Sequence, residues 1–321
     1  MRIAIVGSGG VGGYFGGRLA AAGVDVTFLA RGAHLEAMRA RGLRIDSPKG
    51  NVHLPRVKAE SDPTAVGHAD VVFFAVKLYD TEGALALLPP LVGPDTVVIG
   101  FQNGVETIGT LTRAVGASHT AGGVSYVSAV IAEPGVIRHT AMDHLVVGEL
   151  DGSRSPRLEA RLEACRPAGV QATLSSDITV DIWTKFVRLS VFSGMTAVTR
   201  GPIGVIVNDP ELLEMLKAAA RETMAVAHAQ GVAVPEGIDE DVAKAYLALP
   251  PQAKASMLED LERGRRIELP WLSGAVVRLG REVGVATPTH TFINAVLRPH
   301  VNGRDSRPGV GGQGGGGRLG S

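Results

Sequence analysis

The chain has 321 residues, with 32 lysines and arginines against 32 aspartates and glutamates, so its formal net charge is zero. A balanced charge argues against recognition of nucleic acid or of a membrane surface through bulk electrostatics. No segment reaches the roughly 18 apolar residues of a membrane span, and the single cysteine, Cys165, cannot form an internal disulfide. These features predict a cytoplasmic protein in which Cys165 is a small buried thiol. The length allows two domains.

The first thirty residues have the pattern of a dinucleotide-binding unit. Apolar runs at residues 3–6 and 26–30 predict two buried strands, and residues 14–22 predict a helix between them. The turn between the first strand and the helix contains the candidate cofactor-binding residues Gly7, Ser8, Gly9, Gly10, Val11 and Gly12. A strand, a glycine-rich turn and a helix in this order are typical of dinucleotide binding.

Three glycines of this turn have separate predicted roles. Gly7 permits the tight turn out of the strand, Gly9 lets the backbone approach a pyrophosphate, and Gly12 lets the helix lie close to the sheet. The helix N-terminus supplies N–H groups to the anion. A glycine-rich turn without a ligand is the alternative, and the complete unit favours the nucleotide.

The end of the second strand predicts NADP(H) rather than NAD(H). NAD-binding units usually carry an acidic residue about twenty residues after the glycines, whereas this chain has Arg31 there, and Asp25 lies at the opposite end of the strand. We expect Arg31 to bind the 2′-phosphate, with His34 as a second candidate near it. A solvated surface arginine is the alternative.

Strands and helices continue to alternate up to about residue 174. Further strands are predicted at residues 70–76, 96–101, 123–127, 136–139, 144–148 and 170–174, a small hairpin at 43–54, and helices at 33–41, 80–88 and 156–165. Such alternation indicates a largely parallel sheet, where ligands bind beyond the carboxyl ends of the strands. Lys77 and Asn103 lie at two of those ends. Each alone could be an ordinary loop residue, and together they favour a functional role.

From residue 178 onward no strand pattern remains. Helices are predicted at residues 178–198, 210–230, 239–247, 253–263, 272–283 and 288–297. We therefore predict an α/β fold class: a Rossmann-type NADP-binding domain at 1–175 followed by an all-helical substrate and catalytic domain at 176–300. The glycine-rich composition of residues 301–321 predicts a disordered or vector-derived tail.

One predicted helix contains a lysine in apolar surroundings. Residues 180–193 are apolar nearly all round, which indicates a buried helix, and Lys185 lies in its middle. Burial would lower the pKa of Lys185 toward the range useful for a general acid, while a lysine that extends to the surface is the alternative. Most charges of residues 256–268 predict a solvated helix face, whereas Glu268 lies among apolar neighbours. Whether Glu268 meets Lys185 does not follow from the sequence.

Five motifs, taken in order, resemble the ketopantoate reductase (2-dehydropantoate 2-reductase) family. They are GSGGVGGYFGGRLA, a strand-end VK, QNG, IWTKF and SMLEDLERGRRIEL, and the resemblance covers about residues 1–298. It implies a 6-phosphogluconate-dehydrogenase-like architecture with the active site in the cleft between the two domains. It also implies NADPH-dependent reduction of 2-dehydropantoate to (R)-pantoate, a step toward pantothenate and coenzyme A. The helical domain could supply a dimer interface, so a monomer or a homodimer is expected.

The resemblance also implies roles for individual residues. Lys185 resembles the general acid that protonates the ketone oxygen, and Glu268 resembles the carboxylate that orients this lysine and the substrate hydroxyl. Ser256 resembles a hydrogen-bond donor to the substrate carboxylate. The residues that resemble cleft and cofactor contacts are Asn103, Lys77 and Arg31.

The chain departs from the family pattern where the substrate would bind. Leu189 and Ser193 stand where the family has asparagines four and eight residues after the lysine, and Ser273 replaces a third asparagine. Four-residue spacing places Leu189 and Ser193 on the face of Lys185, and Ser193 is a candidate substrate contact there. Amides that bind a substrate hydroxyl discriminate strongly, so a paralogous reductase of another, more apolar branched 2-oxo acid is the alternative. A catalytically silent NADP-binding sensor is a third possibility, which the retained lysine and glutamate disfavour.

Overall fold

The first part of the chain forms one mixed sheet with helices on both faces. The computed structural model describes residues 1–163 and 165–304. Its strands are β1 Arg2–Val6, β2 Asp25–Leu29, β3 Leu43–Asp46, β4 Val52–Leu54, β5 Lys58–Glu60, β6 Ala69–Phe74, β7 Val92–Gly100, β8 Thr120–Glu133, β9 Val136–Gly148 and β10 Gln171–Leu174. Its helices are α1 Gly10–Ala21, α2 Gly32–Arg41, α3 Thr81–Leu85, α4 Thr107–Val115 and α5 Pro156–Glu163.

The strand order is β4-β3-β9-β8-β7-β6-β1-β2-β5, and β10 also pairs with β9. Within the part β8-β7-β6-β1-β2-β5 of this order, every pair of adjacent strands is parallel, as the alternation of strands and helices predicted. Ile3 and Ile5 pack on the face covered by α1, whereas Ala4 and Val6 pack on the opposite face. Both faces of β1 are buried, and the carboxyl ends of the central strands lie at one edge of the sheet.

Two predictions for this region were wrong in detail. Residues 136–139 and 144–148 belong to the single strand β9, which pairs antiparallel with β8. Residues 140–143, between these two runs, do not end the strand. They are accommodated by a register shift near Ser128 and a left-handed backbone at Met142 (φ 59°). The helix predicted at 80–88 is only the five residues of α3, and prolines 89 and 90 follow in the next short 3-10 turn.

The described residues of the second part of the chain, from 178 to 304, form helices joined by loops and contain no strand. Its helices are α6 Ile178–Thr199, α7 Ile203–Val207, α8 Pro210–Ala229, α9 Ile238–Leu247, α10 Ser256–Glu262, α11 Ser273–Val283 and α12 Pro288–Leu297. The side chain of Asp177 caps α6 by accepting a hydrogen bond from the Val180 amide at 3.1 Å. The five residues of α7 were not predicted, because so short a segment shows no periodicity. The α/β fold class with a helical second domain is confirmed.

The segment between the two parts is short, since β10 ends at Leu174 and α6 begins at Ile178. The domain limits at residues 175 and 300 stay predictions. The Arg304 amide donates to the Gly264 carbonyl at 3.0 Å, and the predicted tail beyond residue 304 lies outside the described residues. None of the described helices is long and apolar enough to cross a membrane.

Cys165 is buried, with 5% of its surface exposed. Burial raises the pKa of its thiol to about 11. The prediction of a small buried thiol is therefore confirmed.

Candidate active site

The glycine-rich turn has the backbone shape that its sequence predicted. Gly7 has φ +97°, and a Cβ atom there would lie 2.6 Å from the Val76 nitrogen. A Cβ on Gly12 would lie 2.2 Å from the Gly7 carbonyl oxygen and 2.7 Å from the Ile5 side chain. A Cβ on Gly10 would lie 2.0 Å from the Ala129 carbonyl oxygen. A larger residue at Gly12 or Gly10 would therefore push α1 away from β1 or β8, and one at Gly7 would clash with the segment that follows β6.

The space above Gly9 is open. A Cβ atom there would meet nothing within 4 Å, and no side chain caps the α1 N-terminus that Gly9 precedes. The Ser8 hydroxyl points elsewhere, because it donates to the Leu29 carbonyl oxygen at 2.9 Å and is buried. The turn thus leaves room for a pyrophosphate against backbone N–H groups, where a dinucleotide fits. Val11 is the second residue of α1, behind this opening.

Arg31 lies beyond the end of β2 and is ion-paired. Its Nη2 atom is 2.8 Å from Oδ2 of Asp80, and 81% of the arginine side chain is exposed. Asp80 comes from the turn after β6, so the sequence analysis did not associate it with the end of β2. His34 instead accepts a hydrogen bond from the Gly135 amide at 3.1 Å, and burial lowers its pKa.

Lys185 reaches from α6 toward the sheet. Its Nζ atom donates to the Ser125 carbonyl oxygen at 2.9 Å and to Oδ1 of Asn103 at 3.2 Å. The ring of Tyr126 lies 6.0 Å from the same nitrogen. Burial lowers the pKa of Lys185 to about 8, and the nearby charge of Glu268 opposes part of that shift. A lysine with such a pKa can give up a proton near neutral pH.

Asn103 joins Lys185 to Glu268. Its Nδ2 group donates to Oε2 of Glu268 at 3.3 Å while its Oδ1 accepts from the lysine. The other carboxylate oxygen of Glu268 accepts from the Leu78 amide at 3.0 Å, and only 5% of the glutamate is exposed. Lysine and glutamate are therefore connected through the amide of Asn103, a link between three distant segments that the sequence did not reveal.

Lys77 lies beside the same carboxylate. Its Nζ atom is 3.1 Å from Oδ2 of Asp260 and 3.9 Å from Oε2 of Glu268. Burial favours the neutral amine, but the two carboxylates outweigh it and raise the pKa of Lys77. Two carboxylates of the helical domain thus hold this lysine, which was predicted as a cofactor contact.

Asp260 is a site residue that the sequence analysis missed. It was included among the charges of a solvated helix face, which is wrong, because its side chain is only 15% exposed. Asp260 follows Met257 by three residues and directly precedes Leu261, both of which are buried in α10. This position relative to the apolar face was the available signal.

Three serines singled out from the sequence make no described hydrogen bond to this cluster. Ser256 is exposed in the first turn of α10. Ser193 and Ser273 are 1% and 0% exposed, and the hydroxyl of each has no hydrogen-bond partner among the described residues. No contact described for residues 1–163 and 165–304 joins any of the three to Lys185. Their predicted roles, where one was given, stay predictions.

Fold and site together define a class of protein: an oxidoreductase with a glycine-rich turn of the dinucleotide-binding type in its first domain and, in its helical domain, a lysine whose pKa burial lowers to about 8. A group of three or more side chains placed to hold a metal ion is not found in the described residues. The model of the family described as ketopantoate reductase PanE/ApbA matches residues 3–152. The model of the same family's C-terminal part matches residues 177–301. The chain belongs to the ketopantoate reductase family.

Curated and solved relatives support this assignment along most of the chain. The 2-dehydropantoate 2-reductase of Mesorhizobium japonicum is 34% identical over 319 residues, covering 93% of this chain and 97% of the relative. The crystal structure of a PanE/ApbA family ketopantoate reductase from Ralstonia eutropha JMP134 is 32% identical with a TM-score of 0.86, covering 94% and 98% of the two chains. The chain is thus a 2-dehydropantoate 2-reductase-like oxidoreductase.

A more distant structural neighbour is described with NADH. The ternary structure of D-mandelate dehydrogenase with NADH and anilino(oxo)acetate has a TM-score of 0.83 at 20% identity, covering 94% of this chain and 98% of that one. At this identity the likeness concerns the fold alone.

Proposed function

We propose that this chain reduces 2-dehydropantoate to (R)-pantoate with NADPH, a step toward pantothenate and coenzyme A. The observation that carries the proposal is the connected set of Lys185, Asn103 and Glu268 at the sheet edge that also bears the glycine-rich turn. A lysine with a pKa of about 8 is suited to protonate a ketone oxygen. The names of the relatives supply the substrate.

Each residue of the set has a distinct part in the proposed reaction. When bound, the dihydronicotinamide supplies the hydride that adds to the carbonyl carbon. Lys185 donates its proton to the carbonyl oxygen as the electron pair of the C=O bond moves onto it, and then recovers a proton from water. Asn103 orients the ammonium group through its Oδ1, and Glu268 holds the opposite side of that amide. Ser256 and Ser193 are proposed to bind the substrate.

NADP(H) is proposed as the cofactor, with the backbone of residues 7–12 at the pyrophosphate and Arg31 at the 2′-phosphate. The open space over Gly9 and the exposed guanidinium of Arg31 support this fit. Lys77 and Asn103 are proposed to line the nicotinamide end. A phosphate is a good bidentate partner for a guanidinium.

A second candidate is a reductase of a more apolar 2-oxo acid. Leu189 lies one helical turn from Lys185 and packs against the apolar core of the helical domain. Ser193, a further turn along, is buried rather than open. A face with this chemistry offers little to a substrate hydroxyl, which would favour an acid without one.

The test is NADPH oxidation, followed by absorbance, with 2-dehydropantoate and with 3,3-dimethyl-2-oxobutanoate, which differs only by lacking the hydroxyl. A higher kcat/KM for 2-dehydropantoate supports the first candidate, and the reverse order supports the second. Tight NADPH binding without turnover of any 2-oxo acid would instead indicate a sensor. Activity that is equally efficient with NADH, and unaffected by Arg31→Ala, would refute the cofactor assignment.

A further inference from the structure

The arginine proposed to bind the 2′-phosphate already has a carboxylate partner. Nη2 of Arg31 and Oδ2 of Asp80 are 2.8 Å apart, with 81% and 30% of the two side chains exposed. Asp80 occupies the N-cap position of α3, yet its side chain makes no capping hydrogen bond there. Its carboxylate is directed at Arg31 instead of at its own helix.

The topology explains why these two residues meet. β1 lies between β2 and β6, and all three strands are parallel. Arg31 follows the end of β2, and Asp80 lies in the turn that follows β6. The two side chains therefore approach each other at the sheet edge where the glycine turn leaves β1.

The turn that contains Asp80 is held from its other side. The Leu78 amide donates to Glu268 at 3.0 Å, and Lys77 lies 3.1 Å from Asp260. These contacts keep the backbone of the turn in place against the helical domain. Removing the charge of Asp80 would consequently change the electrostatics around Arg31 without releasing the turn.

We propose that Asp80 influences cofactor specificity by reducing the preference for NADPH over NADH. Its carboxylate competes with the 2′-phosphate of NADPH for Arg31 and so weakens the binding of NADPH. The proposal rests on the proposed role of Arg31. A phosphate that reaches Arg31 must displace or adjoin a group of its own charge sign. With NADH no phosphate arrives, and Asp80 remains as a hydrogen-bond acceptor in a region where β2 supplies none.

The experiment measures the Kd of NADPH and of NADH by calorimetry, without substrate, at about 50 mM salt. In Asp80→Asn we expect the NADPH Kd to fall by about fivefold, the scale of an exposed ion pair, and the NADH Kd to stay the same or rise. The matched control is Asp25→Asn. Asp25 begins β2, at the end opposite to Arg31, and pairs with Lys58 at 2.7 Å. In this control the Kd values of NADPH and NADH should both be unchanged.

A double variant identifies the cause. If Asp80 acts by competing for Arg31, Asp80→Asn should not improve NADPH binding when Arg31→Ala is also present. An unchanged NADPH Kd in Asp80→Asn, beside a weakened one in Arg31→Ala, would overturn this inference alone. An unchanged NADPH Kd in Arg31→Ala would overturn the proposed cofactor assignment itself.

Discussion

The two ends of the candidate active site differ in how they are built. At the proposed cofactor end, Arg31 is 81% exposed and its partner Asp80 is 30% exposed. At the proposed catalytic end, Glu268 is 5% exposed, and Lys185 donates to the Asn103 side chain, beyond the end of β7, and to the Ser125 carbonyl oxygen, within β8. At the exposed end, water can replace a side-chain partner that a substitution removes. At the buried end, the same kind of substitution leaves a polar group without a hydrogen-bond partner. The buried end should therefore respond to mutation and pH, and the exposed end to salt.

The largest expected effect is the loss of the proton donor. Lys185→Ala should lower kcat by about 10²- to 10⁴-fold, the usual range for a general acid. The Kd of NADPH should change little, since cofactor affinity depends mainly on the other end. Steady-state kinetics and calorimetry measure the two quantities. Lys58→Ala, which removes a lysine of β5 that pairs with Asp25 at the start of β2, is the control. Near-normal kcat in Lys185→Ala would contradict the mechanism.

A pH profile examines the same lysine without a mutation. Because the pKa of Lys185 is lowered to about 8 from 10.5, kcat should fall about tenfold per pH unit above that value as the acid loses its proton. Glu268→Gln should shift this fall to lower pH, since the glutamate charge supports the protonated form. A fall that begins only near pH 10 would mean that the pKa of Lys185 is not lowered in the folded protein.

The same shift has a consequence for stability. Between pH 8 and 10.5 the unfolded chain holds a proton on Lys185 that the folded chain has lost. The contribution of this residue to the free energy of unfolding should therefore rise with pH across that window. Comparing denaturant midpoints of the native chain and Lys185→Met across the window isolates this contribution.

A change in salt concentration should affect the proposed cofactor end more than the proposed catalytic end, which is the reverse of the effect of pH. Raising ionic strength from about 50 to 500 mM should weaken NADPH binding several-fold, because the exposed charge of Arg31 is screened. NADH binding, and kcat at saturating cofactor, should change much less. Titrations at both salt concentrations measure this, and an equal loss for the two cofactors would indicate that Arg31 does not bind the phosphate.

The smallest expected effect concerns the cysteine. With the pKa of Cys165 raised to about 11 by burial, hardly any thiolate is present at pH 8. A colourimetric thiol reagent should leave the folded protein unmodified and should react with one thiol per chain in denaturant. Rapid labelling of the folded protein would show that the first domain opens locally.

Local patterns predicted the fold well where each element depends on its own residues. The alternation of β1, α1 and β2 follows from apolar runs and glycines, and the predicted limits of α6 and α8 lie within one residue of the observed ones. The continuity of β9 was missed, since a polar interruption that a register shift absorbs looks like a loop. Its pairing with β8 outweighs the local signal.

The sequence by itself determined the dinucleotide turn, because Gly7 is required by its own positive φ (+97°) and Gly12 by contacts with Gly7 and Ile5 within one supersecondary unit. It also identified Lys185, because a lysine in an otherwise apolar helix is unusual whichever elements that helix packs against. Only the tertiary structure decided that Asn103 links Lys185 to Glu268 and that Asp80 reaches Arg31. Those contacts join segments separated by 49 to 165 positions. The packing of the two domains and the order of the parallel strands bring them together, and neither is encoded in any local pattern.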